Sequence, residues 1–185
     1  ITFGGTDYNT TGAQTYIADA YSMTGANPDF NTDDDNISFE DGGITLATIS
    51  NLEVNTGSTS AGDINIEGTI TGTNDSTNTA ITLEAGSGSV AVGGMSTDIG
   101  NVTLDGSGGI TLNVSITTNG GNIDINDPTT IGGAVVLTTG GGTVDFASTI
   151  IGNSQHFDIN SGSGAVSISG TIGGNSSPLA SLDIN

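Results

Sequence analysis

The chain has 185 residues, with no Lys, no Arg and 20 Asp or Glu, for a formal net charge of −20. A field of that sign repels phosphate backbones and anionic lipid, which argues against nucleic acid and membrane surfaces as partners. The absence of Cys removes a disulfide framework, and no run of 18 apolar residues offers a membrane-spanning helix.

Residues 1–43 are the least regular part of the chain. They hold all three Tyr (Tyr8, Tyr16, Tyr21) and the only run of charge, Asp33-Asp34-Asp35. The stretch reads as variant coils with a long acidic loop inserted from Pro28 to Asn36. Ala13 to Met23 has some helical look, but it carries no apolar stripe.

From residue 44 to 185 the chain repeats itself. Alternating triplets stand at Ile44 (ITL), Ile64 (INI), Ile81 (ITL), Val102 (VTL), Ile123 (IDI), Val144 (VDF) and Val166 (VSI). ITF at Ile1 and YSM at Tyr21 extend the same beat backwards. The last four triplets each follow a Gly-x pair: Gly100-Asn101, Gly121-Asn122, Gly142-Thr143 and Gly164-Ala165. Period-two alternation within a triplet means a strand with one buried face. A fixed period of about 20 residues is the signature of a solenoid.

Each unit carries further apolar groups. A second set runs through Leu52/Val54, Ile70, Val90/Val92, Ile110/Leu112, Ile131, Ile150 and Ile172. A third runs through Val114/Ile116, Val135/Leu137, Phe157/Ile159 and Leu182/Ile184. Three short strands per turn of ~21 residues predict one all-β domain over 1–185, a three-sided parallel β-helix of about nine coils. Like strands then stack at about 4.8 Å, with a column of Ile, Val and Leu inside.

The units GNVTLDGSGGITL, GGNIDINDPTTIGGAVVLTTGGGTVDFASTI and GAVSISGTIGG resemble the Gly/Thr/Asn-rich repeats of very large bacterial surface and secreted proteins, such as filamentous haemagglutinin-like adhesins. That resemblance covers the whole chain through repeat style rather than an invariant motif. It implies a right-handed parallel β-helix and an extracellular, cell-surface role, and it transfers no binding residue. The absence of Lys and Arg departs from such adhesins and suggests a cation-rich setting.

If the triplets stack from the first to the last, the residue after each forms an outer column: Gly4, Thr24, Ala47, Glu67, Glu84, Asp105, Asn126, Ala147, Ser169. Glu67, Glu84 and Asp105 then stand in a row, with Asp124 and Asp145 beside them. Like charges at about 4.8 Å repel by roughly 0.9 kcal/mol even in water. The columns are therefore either a solvated acidic face or cation sites, and oxygen-only ligands suit Ca²⁺. Asp33, Asp34 and Asp35 form a second Ca²⁺ candidate, without the EF-hand pattern.

His156 is the only histidine, and no orienting partner or cleft accompanies it in sequence. Stabilising a polyanionic substrate calls for Arg, Lys or a metal in their place, so the reading is non-enzymatic. The pattern opens on ITF and closes on LDI at Leu182 without a cap, which predicts that the ladder continues into further repeats of the same chain or into a second copy. The expected role is a structural or adhesive solenoid, with cell-surface or matrix glycans as further partners. The alternative is a carbohydrate- or ice-binding module. On the assumed register Thr2, Thr45, Thr82 and Thr103 share a column that Asn65, Asp124 and Asp145 interrupt.

Overall fold

The computed structural model describes residues 1–47, 51–59, 62–73, 79–96, 98–174 and 176–185. Among them there are strands and turns and no helix. Ala13 to Met23 is no exception: its β-branched and aromatic residues form part of a ten-residue strand, Gln14–Met23. All named pairings are parallel, so the chain is a β-solenoid whose strands lie on three faces.

The first face stacks eight strands: Asp7–Asn9, Asp29–Asn31, Leu52–Asn55, Ile81–Glu84, Val102–Asp105, Ile123–Ile125, Val144–Phe146 and Val166–Ile168. The second begins with the leading halves of Gln14–Met23 and Ile37–Leu46. It continues through Ile64–Ile66, Ser89–Val92, Gly109–Leu112, Thr129–Ile131 and Ile150–Ile151 to a bridge at Ile172. The third takes Thr2–Phe3 and the trailing halves of the two long strands. It then runs through Ile70–Gly72, Met95–Ser96, Ile116–Thr117, Val135–Thr138 and His156–Asn160 to Ser181–Ile184.

The register from Ile81 through Val102, Ile123 and Val144 to Val166 agrees with the triplet pattern. Before Ile81 the assumed register fails. The triplets at Ile1, Tyr21 and Ile44 belong to the third face, and the one at Ile64 to the second. Leu52 and Val54, expected on a second strand, lie on the first face against Ile81 and Leu83.

The reason is unequal coil length. Matched first-face positions Asp7, Asp29, Glu53, Thr82, Thr103, Asp124, Asp145 and Ser167 are separated by 22, 24, 29, 21, 21, 21 and 22 residues. A uniform count therefore slips by one face where the coils are longest, and it yields nine coils where the first face has eight.

Residues 1–43 form coils that pair in parallel with the rest of the ladder. Asp29–Asn31 is a strand, and Phe30 is fully buried, so the expected loop from Pro28 to Asn36 shrinks to a corner. What differs is the filling. Phe3 meets Tyr8, Tyr16 and Phe30 edge-on at centroid distances of 5.0, 5.0 and 5.1 Å. Tyr8 stacks on Phe30 at 4.6 Å, and Tyr16 on Phe39 at 5.1 Å. Edge-to-face and offset pairs contribute beyond their buried area. The hydroxyl of buried Tyr21 lies 2.7 Å from the Tyr16 carbonyl and 2.6 Å from that of Glu40, tying two coils at their bend.

Corners are closed by buried hydroxyls. Thr118 donates to the Gly121 carbonyl and Thr139 to that of Gly142, each at 2.6 Å, and Ser161 donates to Gly164 at 2.9 Å. Thr56 does the same for Gly62 at 2.6 Å on another corner. A buried carbonyl left without a donor costs about 1–3 kcal/mol, so these hydroxyls occupy inward positions that sequence patterning reserves for apolar groups.

The Gly of the last three Gly-x pairs has a steric reason. A Cβ on Gly121 would lie 2.2 Å from the carbonyl carbon of Gly100, and one on Gly142 2.2 Å from the oxygen of Gly121. On Gly164 it would lie 1.9 Å from the oxygen of Gly142. Coils that hydrogen-bond at strand spacing leave no room for a methyl at this corner. Gly121→Ala is expected to lower the unfolding free energy by about 1–3 kcal/mol. Gly12→Ala, where an added Cβ meets nothing within 4 Å, is expected to be near neutral in the same thermal or denaturant melt.

Candidate functional site

Acidic side chains concentrate on the outward side of the first face. One outward row reads Asp7, Asp29, Glu53, Thr82, Thr103, Asp124, Asp145, Ser167. The next, two residues further along each strand, includes Asn9, Asn31, Asn55, Glu84 and Asp105, with Asn126 following.

This placement corrects the expected column of Glu67, Glu84 and Asp105. Glu84 and Asp105 are neighbours, but Glu67 lies at the corner between the second and third faces. There its Oε2 accepts the Asp41 N–H at 3.0 Å. The position beside Glu84 belongs to Asn55, whose Nδ2 donates to Glu84 Oε2 at 3.0 Å. On the far side Asn126 Nδ2 donates to Asp105 Oδ2 at 3.1 Å. Two carboxylates are thus flanked by two amides, and each outer oxygen is held by a donor. An open groove of about 470 Å³ runs beside them, lined by Asn55, Gly57, Ser58, Glu84, Gly86 and Asp105.

Asp124 and Asp145 do stand in register as expected. Burial, and after it the charge of Asp145, pushes the Asp124 carboxyl above its usual range. Asp145 Oδ1 is buried with no hydrogen-bond partner among the described residues, as is Asp29 Oδ1.

The stack of Asp7, Asp29 and Glu53 is a set that the triplet pattern missed. Burial pushes the Glu53 carboxyl up, helped by Asp29 and then Glu84. A signal for it existed. The tetrapeptides Asp7-Tyr-Asn-Thr10, Asp29-Phe-Asn-Thr32 and Glu53-Val-Asn-Thr56 share an acid–apolar–Asn–Thr order, the true beat of the first coils.

Asp33, Asp34 and Asp35 occupy the corner between Asp29–Asn31 and Ile37–Leu46 and do not converge. Asp34, at φ 68°, turns its carboxylate onto the next coil, accepting the Thr59 N–H at 3.1 Å and the Thr59 hydroxyl at 2.5 Å. The Asp35 carbonyl accepts the buried Thr32 hydroxyl, and Asp33 is exposed. Among the described residues no three acidic or histidine side chains gather as a metal cage.

His156 is exposed, and its Nδ1 lies 2.7 Å from the hydroxyl of Ser181 on the paired strand. The pair links two outward side chains across the ladder.

Comparison with protein-family models, with curated proteins and with solved structures finds no match in any of the three.

Two outcomes follow from the acidic rows. A carboxyl whose folded pKa is raised stabilises the fold below its unfolded pKa and loses that contribution as pH rises through the folded value. Through Asp124 and Glu53, acidification from neutrality toward the ordinary carboxylate range should therefore raise the melting midpoint. Asp124→Asn should stabilise the protein by about 1 kcal/mol at pH 7, the scale of one carboxylate pair at strand spacing in water. The gain should vanish once the pH falls below the carboxylate range. Separately, NaCl and CaCl₂ at matched ionic strength should raise the midpoint alike if screening alone acts on this face. A larger rise in CaCl₂ identifies a bound cation.

Proposed function

We propose that the chain is a mechanical element: a stretch of extracellular β-solenoid rod at a cell surface, built to project, link or adhere rather than to catalyse. The observation that carries this reading is the continuous axial ladder. Each described strand hydrogen-bonds to its counterparts in the adjoining coils, so a ladder runs along each of the three faces.

The outermost strands have one neighbour each. Val166–Ile168 and Ser181–Ile184 are paired on one side only, and Ile172 and Ile184 near them are 37% and 49% exposed. At the opposite end Ile1 is 52% exposed. Unpaired strand edges recruit further strands. Such an edge accepts another coil, supplied by the same polypeptide or by another copy stacked head to tail. Head-to-tail contacts of this kind do not close and therefore build fibres. The acidic rows keep the rod hydrated and surround it with cations, Ca²⁺ among them, and the repulsion between rods discourages lateral clumping.

Electron microscopy of native material, together with its mass, tests this reading. The expected result is a rod several times longer than eight coils, or filaments whose cross-section matches one coil. A monodisperse monomer of this length, unchanged at high concentration, would overturn it.

A further inference from the structure

The true register places hydroxyls where the assumed one did not. Thr2 and Thr45 are not aligned with Thr82 and Thr103, which lie on the first face. They belong to an outward column on the third face: Thr2, Ser22, Thr45, Thr71, Ser96, Thr117 and Thr138. Seven consecutive coils contribute a hydroxyl, and Asn160 follows in the eighth. At strand spacing the hydroxyl column is about 30 Å long.

Three further observations bear on what this face meets. First, none of the seven hydroxyls is engaged with another group of the protein among the described residues, whereas Thr118, Thr139 and Ser161 at the adjoining corner spend theirs on backbone carbonyls. Second, the positions beside the column, Gly43, Thr69, buried Gly94 and Ser115, are small and uncharged. In a chain of net charge −20, the acids on the described strands of this face are Asp158 and Asp183, with Asp19, Asp41 and Glu67 at the corner before it and Asp98 at the corner after it. Third, there is no Trp, Tyr21 is buried, and Tyr8 and Tyr16 pack into the aromatic core. No exposed ring remains on which a sugar could stack.

The occupant that fits is neutral, periodic and able both to donate and to accept hydrogen bonds. A hydroxyl offers one donor and two acceptor sites, which a lattice of water molecules can meet from either side. Ice excludes ions, which an uncharged strip tolerates and a carboxylate row does not. Thr is stiff at χ1, and the backbone ladder fixes the spacing, so little side-chain entropy remains to be lost when many weak contacts form together. We propose that the third face from Thr2 to Thr138 is an ice-binding surface, with ordered water as its ligand. The proposal concerns a single folded chain and stands apart from whether the rod is extended.

The test measures thermal hysteresis and ice recrystallisation with the folded 185-residue chain. It is paired with Thr71→Tyr/Thr117→Tyr on the column and Thr103→Tyr on the first face. Tyr is favoured on outward strand positions, so all variants should fold, which circular dichroism and a melt confirm. The expected result is ice shaping and slowed recrystallisation by the wild type, their loss in the double variant, and their retention in Thr103→Tyr. A folded wild type without effect on ice overturns the proposal, as does a double variant as active as the wild type. Retention on microcrystalline cellulose without any effect on ice would assign the face to a neutral polysaccharide and would equally overturn it.

Discussion

Everything in this molecule depends on the hydrogen-bond spacing between parallel coils. Once each coil must sit one strand-width from the next, the corners decide which residues are allowed. The column of Gly121, Gly142 and Gly164 exists because a side chain there would overlap the carbonyl of the preceding coil. The corner hydroxyls of Thr118, Thr139 and Ser161 exist because the same crowding leaves carbonyls that water cannot reach. Outward Asn side chains finish the pattern. Asn101 Oδ1 accepts the Asn122 N–H at 2.9 Å, and Asn122 Oδ1 accepts the Thr143 N–H at 3.0 Å, so polar side chains add rungs between backbones.

The same stacking that aligns Ile on Ile inside must align like on like outside. Acids therefore meet acids, and the chain carries no Lys or Arg to relieve them. Two remedies are visible. Glu84 and Asp105 are bracketed by the amides of Asn55 and Asn126, each of which donates a hydrogen bond to one carboxylate oxygen. Asp124 and Asp145 have no such bracket, with Thr103 and Ser167 as their next neighbours, and burial followed by the charge of Asp145 makes Asp124 hold its proton more tightly. Similar residues in adjacent rows thus have different chemistry, set by who stands one coil away.

The parallel all-β architecture was legible because burial in a solenoid is written locally. The alternation Ile-x-Ile needs no knowledge of distant residues to declare a strand with one wet face. Register was legible only where coils are equal in length, from Ile81 onward. In the first half the coils of 24 and 29 residues shift the count, and the eye is drawn to ITL at Ile44 and INI at Ile64, which lie on different faces. Val114, read as a core position, is 41% exposed because the strand begins only at Ile116. The acid stack at Asp7, Asp29 and Glu53 was hidden because its inward residues are Tyr, Phe and Val. The repeated feature there is the polar frame rather than the apolar centre.

The equal steps between Ile81 and Val144 have one more consequence, for how such a molecule can change over time. Each strand pairs only with the coils on either side of it, and each face recurs after about one turn, 21 residues on the first face and 19 to 22 on the others. Removing or duplicating one such unit leaves Ile opposite Ile, Gly over Gly and the outward polar rows unbroken. Length is thus decoupled from cross-section. An error of copying that would destroy a sandwich or a barrel merely makes this molecule one coil shorter or longer.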